Sequence, residues 1–425
     1  MQCTIEQFID GAWRTAATVE ALTNPTDGHQ GGTRLSYTID YAVNYLEEPR
    51  AAIACAYPVN FEIHVSQTWP PFLLDLLPQG AGRRRALADL ELGGRDGARN
   101  DWPILLYAAG NPPGALRIGE AVVAVSEAHP GFHLREIIER REGFIEYARA
   151  HGASVAGSTG AQGDAPKFLL TIDRLGNWHA DGALADEHAA GHWLMKLPRG
   201  KADSDRRILR NEAPYLEIAR WFGLRVGEPL RFQEDTLFVP RFDRMVEGNR
   251  VRRFGLESLY SLAGVVGFGQ SASHERLVDA LACCIASDDL QEEITEYLLR
   301  DVLNVALRNT DNHGRNTAIL KIDGRARLSP LYDFAPMFLD DEGIARVIRW
   351  SGDREHLDLP HWAKIVDRLA SLEVNTTALR AVLAEKSESV RELPRVMEQV
   401  GIEMMIIEQL RPRIAEVAES LVVCR

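Results

Sequence analysis

Cysteine is scarce in this sequence of 425 residues. The five cysteines form no C-x-x-C pair and have no zinc-ligand spacing with histidine, so the sequence contains neither a disulfide framework nor a zinc motif. Scattered, unpaired cysteines are typical of a reducing compartment. Two of them fall in an apolar helical pattern, and we predict that these two lie in the core. The five are Cys3, Cys55, Cys283, Cys284 and Cys424, and the predicted core pair is Cys283 with Cys284.

Long apolar runs and an excess of basic residues are also missing. No run reaches the roughly 18 residues of a membrane helix, and no basic segment followed by an apolar one marks the N-terminus. We therefore expect a cytoplasmic protein without a membrane segment. The formal net charge of −13 disfavours duplex DNA binding by this chain alone. The pattern G-x4-G-K-[ST] is absent, which excludes a P-loop of the ATPase kind.

The changes of pattern along the chain predict three parts, covering residues 1–125, 126–245 and 246–425. The first part has alternating stretches at 51–57 and 61–65, which predict strands of a small α+β unit. A charged amphipathic pattern from Phe132 to Ala150 predicts one helix that joins this unit to the next.

The second and third parts differ in their secondary structure. The second carries predicted strands and one predicted helix, which are Lys167 to Asp173, His192 to Pro198, Thr236 to Phe242 and the helix Asn211 to Phe222, ended by Gly223. The third is mostly helical. Its exception is a predicted hairpin with Asp323-Gly324 at the turn.

The segment RNTDNHGRN contains the strongest chemical signal. Asp311 and Asn316 are five residues apart, with His313 between them. Phosphoryl transfer needs a carboxylate to orient the acceptor hydroxyl, and amide and carboxylate oxygens to hold Mg²⁺ on the phosphates. Asp333 follows the predicted hairpin, where a second metal ligand would lie. Taken alone, the segment fits a structural role as well as a catalytic one, with Asp311 as a turn aspartate and His313 as a buried structural histidine.

A stretch rich in glycine and serine precedes the strand that begins at Lys167. Backbone N–H groups of such a loop can approach phosphate oxygens, although a flexible linker has the same composition. Lys196 lies in a predicted strand, where a lysine usually faces solvent but could contact phosphates. A glutamate on the next helix would orient that lysine, and both Glu212 and Glu217 fit this role.

The order of HWLMKLPRG, NEAPYLEIARWFGL, FVPRFDR, NTDNHGRN and SPLYDF resembles the HipA family of bacterial serine/threonine kinases, which are toxins of toxin–antitoxin pairs. The segments WPPFLLDLLPQG and AAGNPPGALRI resemble the small N-terminal subdomain of that family. The resemblance implies a two-lobed, kinase-like α+β fold with an N-terminal subdomain and a mostly helical C-terminal lobe.

The resemblance also implies roles for individual residues. Asp311 would be the catalytic base, supported by His313, and Asn316 and Asp333 would be Mg²⁺ ligands. The residues expected to bind ATP are Lys196, Lys167, Gly160, Ala161, Gln162, Val239, Arg241 and Phe242. Ser158 and Ser154 are the serines nearest to the position that autophosphorylates in the family. Two features depart from the family pattern: the Gly-rich loop is altered, and Pro240 removes one N–H from the adenine hinge.

The function implied is that of an ATP- and Mg²⁺-dependent kinase that phosphorylates a Ser or Thr of a protein. Resemblance points to a translation component as the substrate, such as an aminoacyl-tRNA synthetase, and to a HipB-like, DNA-binding antitoxin as the partner. Two alternatives remain at this stage. One is a small-molecule or lipid kinase, since the D-x-H-x-x-N order also resembles phosphoinositide kinases. The other is a nucleotide-binding pseudokinase that sequesters a partner.

Overall fold

The structure is a computed structural model, and it describes residues 1–93, 96–123, 129–140, 142–150 and 166–424. The chain divides into two compact units. The first comprises Met1–Gly200, Leu230–Gln270 and Ala318–Arg325, and the second Lys201–Pro229, Ser271–Thr317 and Ala326–Arg425. The glycine- and serine-rich residues Ser154, Ser158, Gly160, Ala161 and Gln162 lie outside the described residues. The predicted three-part division stays a prediction.

The described chain contains both strands and helices. The strands are β1 (Gln2–Ile9), β2 (Ala12–Ala21), β3 (Thr33–Tyr37), β4 (Ile63–Ser66), β5 (Leu116–Ile118), β6 (Lys167–Asp173), β7 (Trp178–Ala180), β8 (Ala189–Lys196), β9 (Arg231–Gln233), β10 (Thr236–Pro240), β11 (Arg244–Glu247), β12 (Arg250–Arg253), β13 (Gly255–Ser258), β14 (Ala272–Ser273), β15 (Ala318–Ile322), β16 (Arg325–Leu328), β17 (Ile348–Arg349), β18 (Glu355–His356) and β19 (Leu359–Pro360). The helices are α1 (Ile39–Tyr45), α2 (Leu73–Leu76), α3 (Gly80–Asp89), α4 (Asp101–Ala108), α5 (Leu134–Ile138), α6 (Glu142–Ala150), α7 (Asp203–Phe222), α8 (Leu259–Leu262), α9 (His274–Cys284), α10 (Ser287–Ala306), α11 (Trp362–Leu369), α12 (Thr376–Gln399) and α13 (Met404–Val422). None of these helices combines the length and the apolarity that crossing a bilayer requires.

The first unit begins with an antiparallel sheet in the order β4-β3-β2-β1-β5. Buried and partly exposed residues alternate along β1, because successive side chains point to opposite faces of a strand. The buried face packs on a core that contains Trp69 and Trp102, whose ring centroids are 4.7 Å apart.

The strand predicted at 51–57 is wrong. A short 3-10 turn, Pro49–Ala51, and a bridge between Ala54 and Tyr57 occupy this segment. Ala51, Ile53 and Ala54 are buried, but the backbone N–H of Ile53 bonds the hydroxyl of Tyr37 rather than a neighbouring strand. The strand predicted at 61–65 is confirmed in part, as β4.

The single helix predicted from Phe132 to Ala150 is also wrong, because two short helices, α5 and α6, replace it. Arg140 lies between them with φ 53°, a left-handed conformation that ends a helix. Both helices contribute apolar residues to the core beneath the second sheet, among them Ile137 and Phe144. The predicted amphipathic pattern is therefore confirmed, and the prediction of one continuous helix is wrong.

The second sheet of the first unit has the order β7-β6-β8-β10-β9. Strand β6 has the predicted bounds, and β8 and β10 correspond to the other two predicted strands. The predicted turn at Asp323-Gly324 is confirmed: it joins β15 to β16, and both residues have positive φ, 50° and 81°, as a tight hairpin turn requires.

The second unit is mostly helical, as predicted. Helix α7 ends at Gly223, whose φ of 94° caps the helix in the left-handed conformation. Helices α12 and α13 follow each other and bury apolar residues at helical spacing. The prediction that Cys283 lies in the core is wrong, because the buried face of α9 carries Leu277 and Leu281, and Cys283 points away from it and is exposed. Cys284 is partly buried.

Candidate active site

The chain enters the candidate catalytic loop through an unusual helix end. After α10, the N–H of Arg308 bonds the carbonyl of Val305 at 3.4 Å, and the N–H of Asn309 bonds that of Asn304 at 3.0 Å. These two bonds define a Schellman cap, in which glycine normally occupies the left-handed position. Here that position is Arg308, with φ 51°. The start of the loop is therefore held in a conformation that costs energy for a residue with a Cβ.

The loop from Asp311 to Asn316 is closed by its own hydrogen bonds. The N–H of His313 bonds the carbonyl of Asp311 at 3.0 Å, and the N–H of Asn316 bonds that of His313 at 2.8 Å. The side-chain amide Nδ2 of Asn316 donates to the carbonyl of Asp311 at 2.8 Å. This last bond fixes which way the Asn316 amide faces. Its Oδ1 is buried and has no hydrogen-bond partner among the described residues.

His313 is buried between the two ends of this loop. Its Nδ1 accepts the backbone N–H of Arg315 at 3.2 Å, so in the neutral ring the proton is on Nε2. That Nε2 lies 3.8 Å from Oδ1 of Asp311, which is longer than a hydrogen bond. The histidine therefore orders the loop and presents an N–H toward the Asp311 carboxylate.

The segment that carries Asp333 lies beside this loop. The hydroxyl of Tyr332 donates to the carbonyl of Arg315 at 2.8 Å, next to Asn316. Asp333 has φ 49°, a conformation that non-glycine residues seldom adopt and that occurs preferentially at functional sites. Phe334 is fully buried, and its ring centroid is 5.4 Å from that of Tyr215 on α7. The two segments that sequence reasoning paired are thus in direct contact.

The residues present fit a magnesium ion. Mg²⁺ takes oxygen ligands and is usually held by one or two carboxylates together with substrate phosphates and water. The orphaned, buried Oδ1 of Asn316 is such an oxygen, and Asp333, the other predicted ligand, directly follows Tyr332, which bonds this loop. No group of three or more His, Cys, Asp or Glu able to hold a metal occurs in the described part of the chain. A site that completes its coordination with phosphate and water does not require one.

In the first unit, the two predicted phosphate-binding lysines lie directly opposite each other on β6 and β8. The N–H of Leu197 bonds the carbonyl of Pro166 at 3.1 Å, so Lys167 and Lys196 form a non-hydrogen-bonded pair with Cα atoms about 4.5 Å apart. Their side chains therefore leave the same face of the sheet. Lys196 is 4% exposed, and so does not face solvent as most strand lysines do. Two ammonium groups on one face of the sheet provide local positive charge of the kind that attracts a polyanion.

The predicted adenine hinge follows at the end of β10. Val239 pairs with Leu194 on β8, and the N–H of Arg241 bonds the carbonyl of His192 at 2.9 Å. The guanidinium of Arg241 donates to Asp181 at 2.6 Å and to Asp243 at 2.9 Å. The N–H and the guanidinium of Arg241 thus both bond other groups of the protein. Its backbone carbonyl is the polar group that would contact a bound nucleotide. The role of Val239, Arg241 and Phe242 in ATP binding stays a prediction.

Sequence reasoning missed the buried ionic network that surrounds Arg241. Burial acts to raise the pKa of Asp181, but Arg244 and Arg241 outweigh it and hold that pKa well below its usual value. The carboxylate therefore stays charged and accepts further bonds from Thr171 and Asn111. No sequence signal could have identified this cluster, because Asp181 lies 60 residues before Arg241 and 70 residues after Asn111.

The structure distinguishes the two candidate glutamates on α7 by their burial. Glu212 is 5% exposed and lies one turn before Tyr215, on the helix face that contacts Phe334. Glu217 is partly exposed and forms an ion pair with Arg220 at 3.4 Å. Burial favours Glu212 as the orienting residue, and its pairing with Lys196 stays a prediction.

Comparison with known proteins identifies the domains of the chain. The family model described as HipA-like C-terminal domain matches residues 157–394, and that of the HipA N-terminal domain matches residues 28–119. A search of curated proteins gave no match.

Solved structures show the same relationship. The chain is similar to HipA of Shewanella oneidensis MR-1, from the complex of the toxin–antitoxin proteins HipA and HipB with operator DNA, at 16% identity and a TM-score of 0.66. That match covers 98% of this chain and 96% of the other. A second similarity, to the Helicobacter pylori proinflammatory kinase CtkA, has 12% identity and a TM-score of 0.34, over 55% of this chain and 91% of that chain. The first match confirms the predicted HipA-like α+β fold. Because one family model covers more than half of its length and a second covers the N-terminal region, the chain belongs to the HipA family.

Proposed function

We propose that this protein is an ATP-dependent serine/threonine protein kinase and acts as the toxin of a HipA-type toxin–antitoxin system. One observation supports the activity above the others. The loop with the predicted base Asp311 also contains Asn316, whose Oδ1 is buried without a partner among the described residues, and the Asp333 segment lies against this loop. A buried oxygen without a donor costs roughly 1–3 kcal/mol, which a metal ion would offset.

In the proposed reaction, the chain supplies orientation, charge and one proton acceptor. Asp311 takes the proton of the acceptor hydroxyl, while His313, pinned through Nδ1, keeps an N–H directed toward that carboxylate. Asn316 and Asp333 would hold Mg²⁺, which neutralises charge on the phosphates when it is bound. Lys167 and Lys196 leave one face of the sheet together and attract the phosphate chain.

The proposed substrate and the proposed partner rest on family membership. A translation component, such as an aminoacyl-tRNA synthetase, is the proposed phosphate acceptor. A HipB-like antitoxin is the proposed partner, since the similar Shewanella protein was solved with HipB and operator DNA. We propose that contact with DNA runs through this antitoxin, because the chain itself carries a net charge of −13.

The test is incubation of the full-length protein with radiolabelled ATP and Mg²⁺, in the presence of protein extract or of metabolite and lipid pools. We expect label on protein, at phosphoserine or phosphothreonine identified by mass spectrometry. Asp311→Asn should lower the rate about 10²–10⁴-fold through loss of the general base. Asp288→Asn, an exposed change in the first turn of α10, serves as the control and should leave the rate unchanged.

Three outcomes would contradict the proposal. Full activity of Asp311→Asn would remove the proposed base. Label confined to metabolites or lipids would instead indicate a small-molecule or lipid kinase. Nucleotide binding without turnover by the unmodified chain would indicate a pseudokinase.

A further inference from the structure

Tyr215, in the middle of α7, contacts both segments of the candidate active site. It is fully buried. Its hydroxyl donates to the carbonyl of Leu307 at 3.2 Å, and its ring lies 5.4 Å from the ring of Phe334, at an interplanar angle of 59°. Leu307 is four residues before Asp311, and Phe334 directly follows Asp333. No motif assigns a role to this tyrosine.

The hydroxyl completes the cap of α10. The last carbonyls of a helix have no partner within the helix, and the Schellman bonds satisfy only those of Asn304 and Val305. The carbonyl of Leu307 is the one that the tyrosine reaches. Burial holds the pKa of Tyr215 well above its ordinary value, although the charge of Arg308 acts in the opposite direction. The hydroxyl therefore keeps its proton and remains a donor.

The aromatic ring of Tyr215 contacts the segment that carries Asp333. An aromatic pair at this separation and tilt is favourable beyond the area it buries. Phe334, which makes this contact, directly follows Asp333, whose left-handed conformation needs support from its surroundings. On the other side, Tyr332 is tied to the carbonyl of Arg315.

We propose that Tyr215 is a positioning residue that sets the placement of Asp311 and Asn316 relative to Asp333. This inference rests on the proposed kinase function and adds a determinant of its rate. Tyr215 does not touch the reacting groups in this arrangement. It acts through the backbone of the loop and through Phe334, so its loss should slow the chemical step and leave ATP affinity nearly unchanged.

The experiment compares Tyr215→Phe with Tyr260→Phe in the full-length protein. Tyr260 is a matched control: it is 2% exposed, and its hydroxyl donates to a backbone carbonyl, that of Gln270, at 2.6 Å in the other unit. Both changes delete one buried hydroxyl and keep the ring, so a general loss of stability affects both. For Tyr215→Phe we expect kcat to fall ~3- to 10-fold, with KM for ATP changed less than about 2-fold. Tyr260→Phe should leave both constants unchanged.

A second readout needs neither nucleotide nor metal. Hydrogen–deuterium exchange of the peptide that spans residues 304–317 should be faster in Tyr215→Phe than in the unmodified protein, and unchanged in Tyr260→Phe. Tyr215→Leu, which also removes the ring contact, should accelerate exchange in the peptide that contains Phe334 as well.

The outcomes separate this inference from the proposed function. An inactive unmodified protein whose exchange still responds to Tyr215→Phe would refute the kinase, and the contact of Tyr215 with the loop would stand without a role in catalysis. An active protein in which Tyr215→Phe has normal kcat and normal exchange refutes the positioning role alone. A fall in kcat of equal size in Tyr260→Phe would likewise overturn the inference, because the effect would then reflect stability.

Discussion

Replacing Arg241 by methionine should destabilise the first unit far more than loss of an ordinary ion pair. The buried network contains two carboxylates, Asp181 and Asp243, and two guanidinium groups, those of Arg241 and Arg244, so its charges balance. Arg241→Met leaves one uncompensated negative charge in the interior. Breaking a buried pair in this way typically costs about 3–5 kcal/mol of the free energy of unfolding.

The pH dependence of that loss has a defined sign. Burial acts to raise the pKa of Asp243, but Arg241 and its hydrogen bonds outweigh it and lower the pKa from 3.8 to about 2. A lowered pKa in the folded state contributes stability above pH 3.8, which is lost as pH falls through about 2. The difference of 3.8 − 2 units corresponds to about 2 kcal/mol. Without Arg241, less positive charge opposes the effect of burial on the pKa of Asp243. The loss of unfolding free energy caused by Arg241→Met should therefore be largest near pH 7 and smaller toward pH 4.

Urea denaturation followed by tryptophan fluorescence at pH 7 and pH 4.5 measures this effect. Arg411→Met is the control, because the ion pair of Arg411 with Glu408 is about half exposed on both sides and should contribute less than about 1 kcal/mol. Arg241→Lys keeps the charge but not the forked geometry, and should fall between the two. Equal losses for Arg241→Met and Arg411→Met, or a deficit that grows on acidification, would refute the reasoning.

Two further predictions concern the second unit. Burial, opposed by Asp301, lowers the pKa of His274 from 6.5 to about 4. The unfolded chain therefore binds one more proton between these values, and the protein should lose about 3 kcal/mol of unfolding free energy from pH 6.5 to 4. His274→Phe should flatten that dependence in urea titrations, and an unchanged slope would contradict it. Gly223→Ala should cost about 1 kcal/mol, because φ at Gly223 is +94°. The control Gly227→Ala, where a Cβ meets only Pro330 at 3.9 Å, should be near neutral, and equal thermal shifts would contradict the strain argument.

The local sequence pattern was sufficient to predict elements whose boundaries are marked by residues such as proline or by turn-forming segments. Strand β6 has the predicted bounds because a run of apolar residues lies between a proline and a turn. The N-terminal half of α7 was missed, since residues 203–210 are mostly charged and show little apolar periodicity. Arg207 and Arg210 in this half pair with Glu403 before α13, so tertiary contacts support the helix there. Helix propensity is a local property of the sequence and does not reflect such tertiary contacts.

In the candidate site, too, local spacing predicted some features, and those that depend on tertiary structure were missed. The five-residue spacing of Asp311 and Asn316 was informative because a side-chain bond of Asn316 closes the loop onto Asp311. The opposition of Lys167 and Lys196 required the strand register, which the sequence does not state. Tyr215 was visible only as an aromatic residue three positions after Glu212, a spacing common in buried helix faces.

The candidate site contains backbone conformations that its sequence disfavours. Arg308 and Asp333 both have positive φ, at the two places where the chain enters the candidate metal-binding region. Each such residue costs about 1–3 kcal/mol and persists only if its surroundings determine it fully. The hydroxyls of two tyrosines, one buried and one partly buried, support these positions: Tyr215 bonds the carbonyl that precedes Arg308, and Tyr332 precedes Asp333 and bonds the Asp311–Asn316 loop. Because these bonds replace glycine as the means of holding the left-handed positions, the loop gains rigidity that glycine would not provide. Rigid placement is what a phosphoryl-transfer site needs most, since its protein groups act mainly by position and charge.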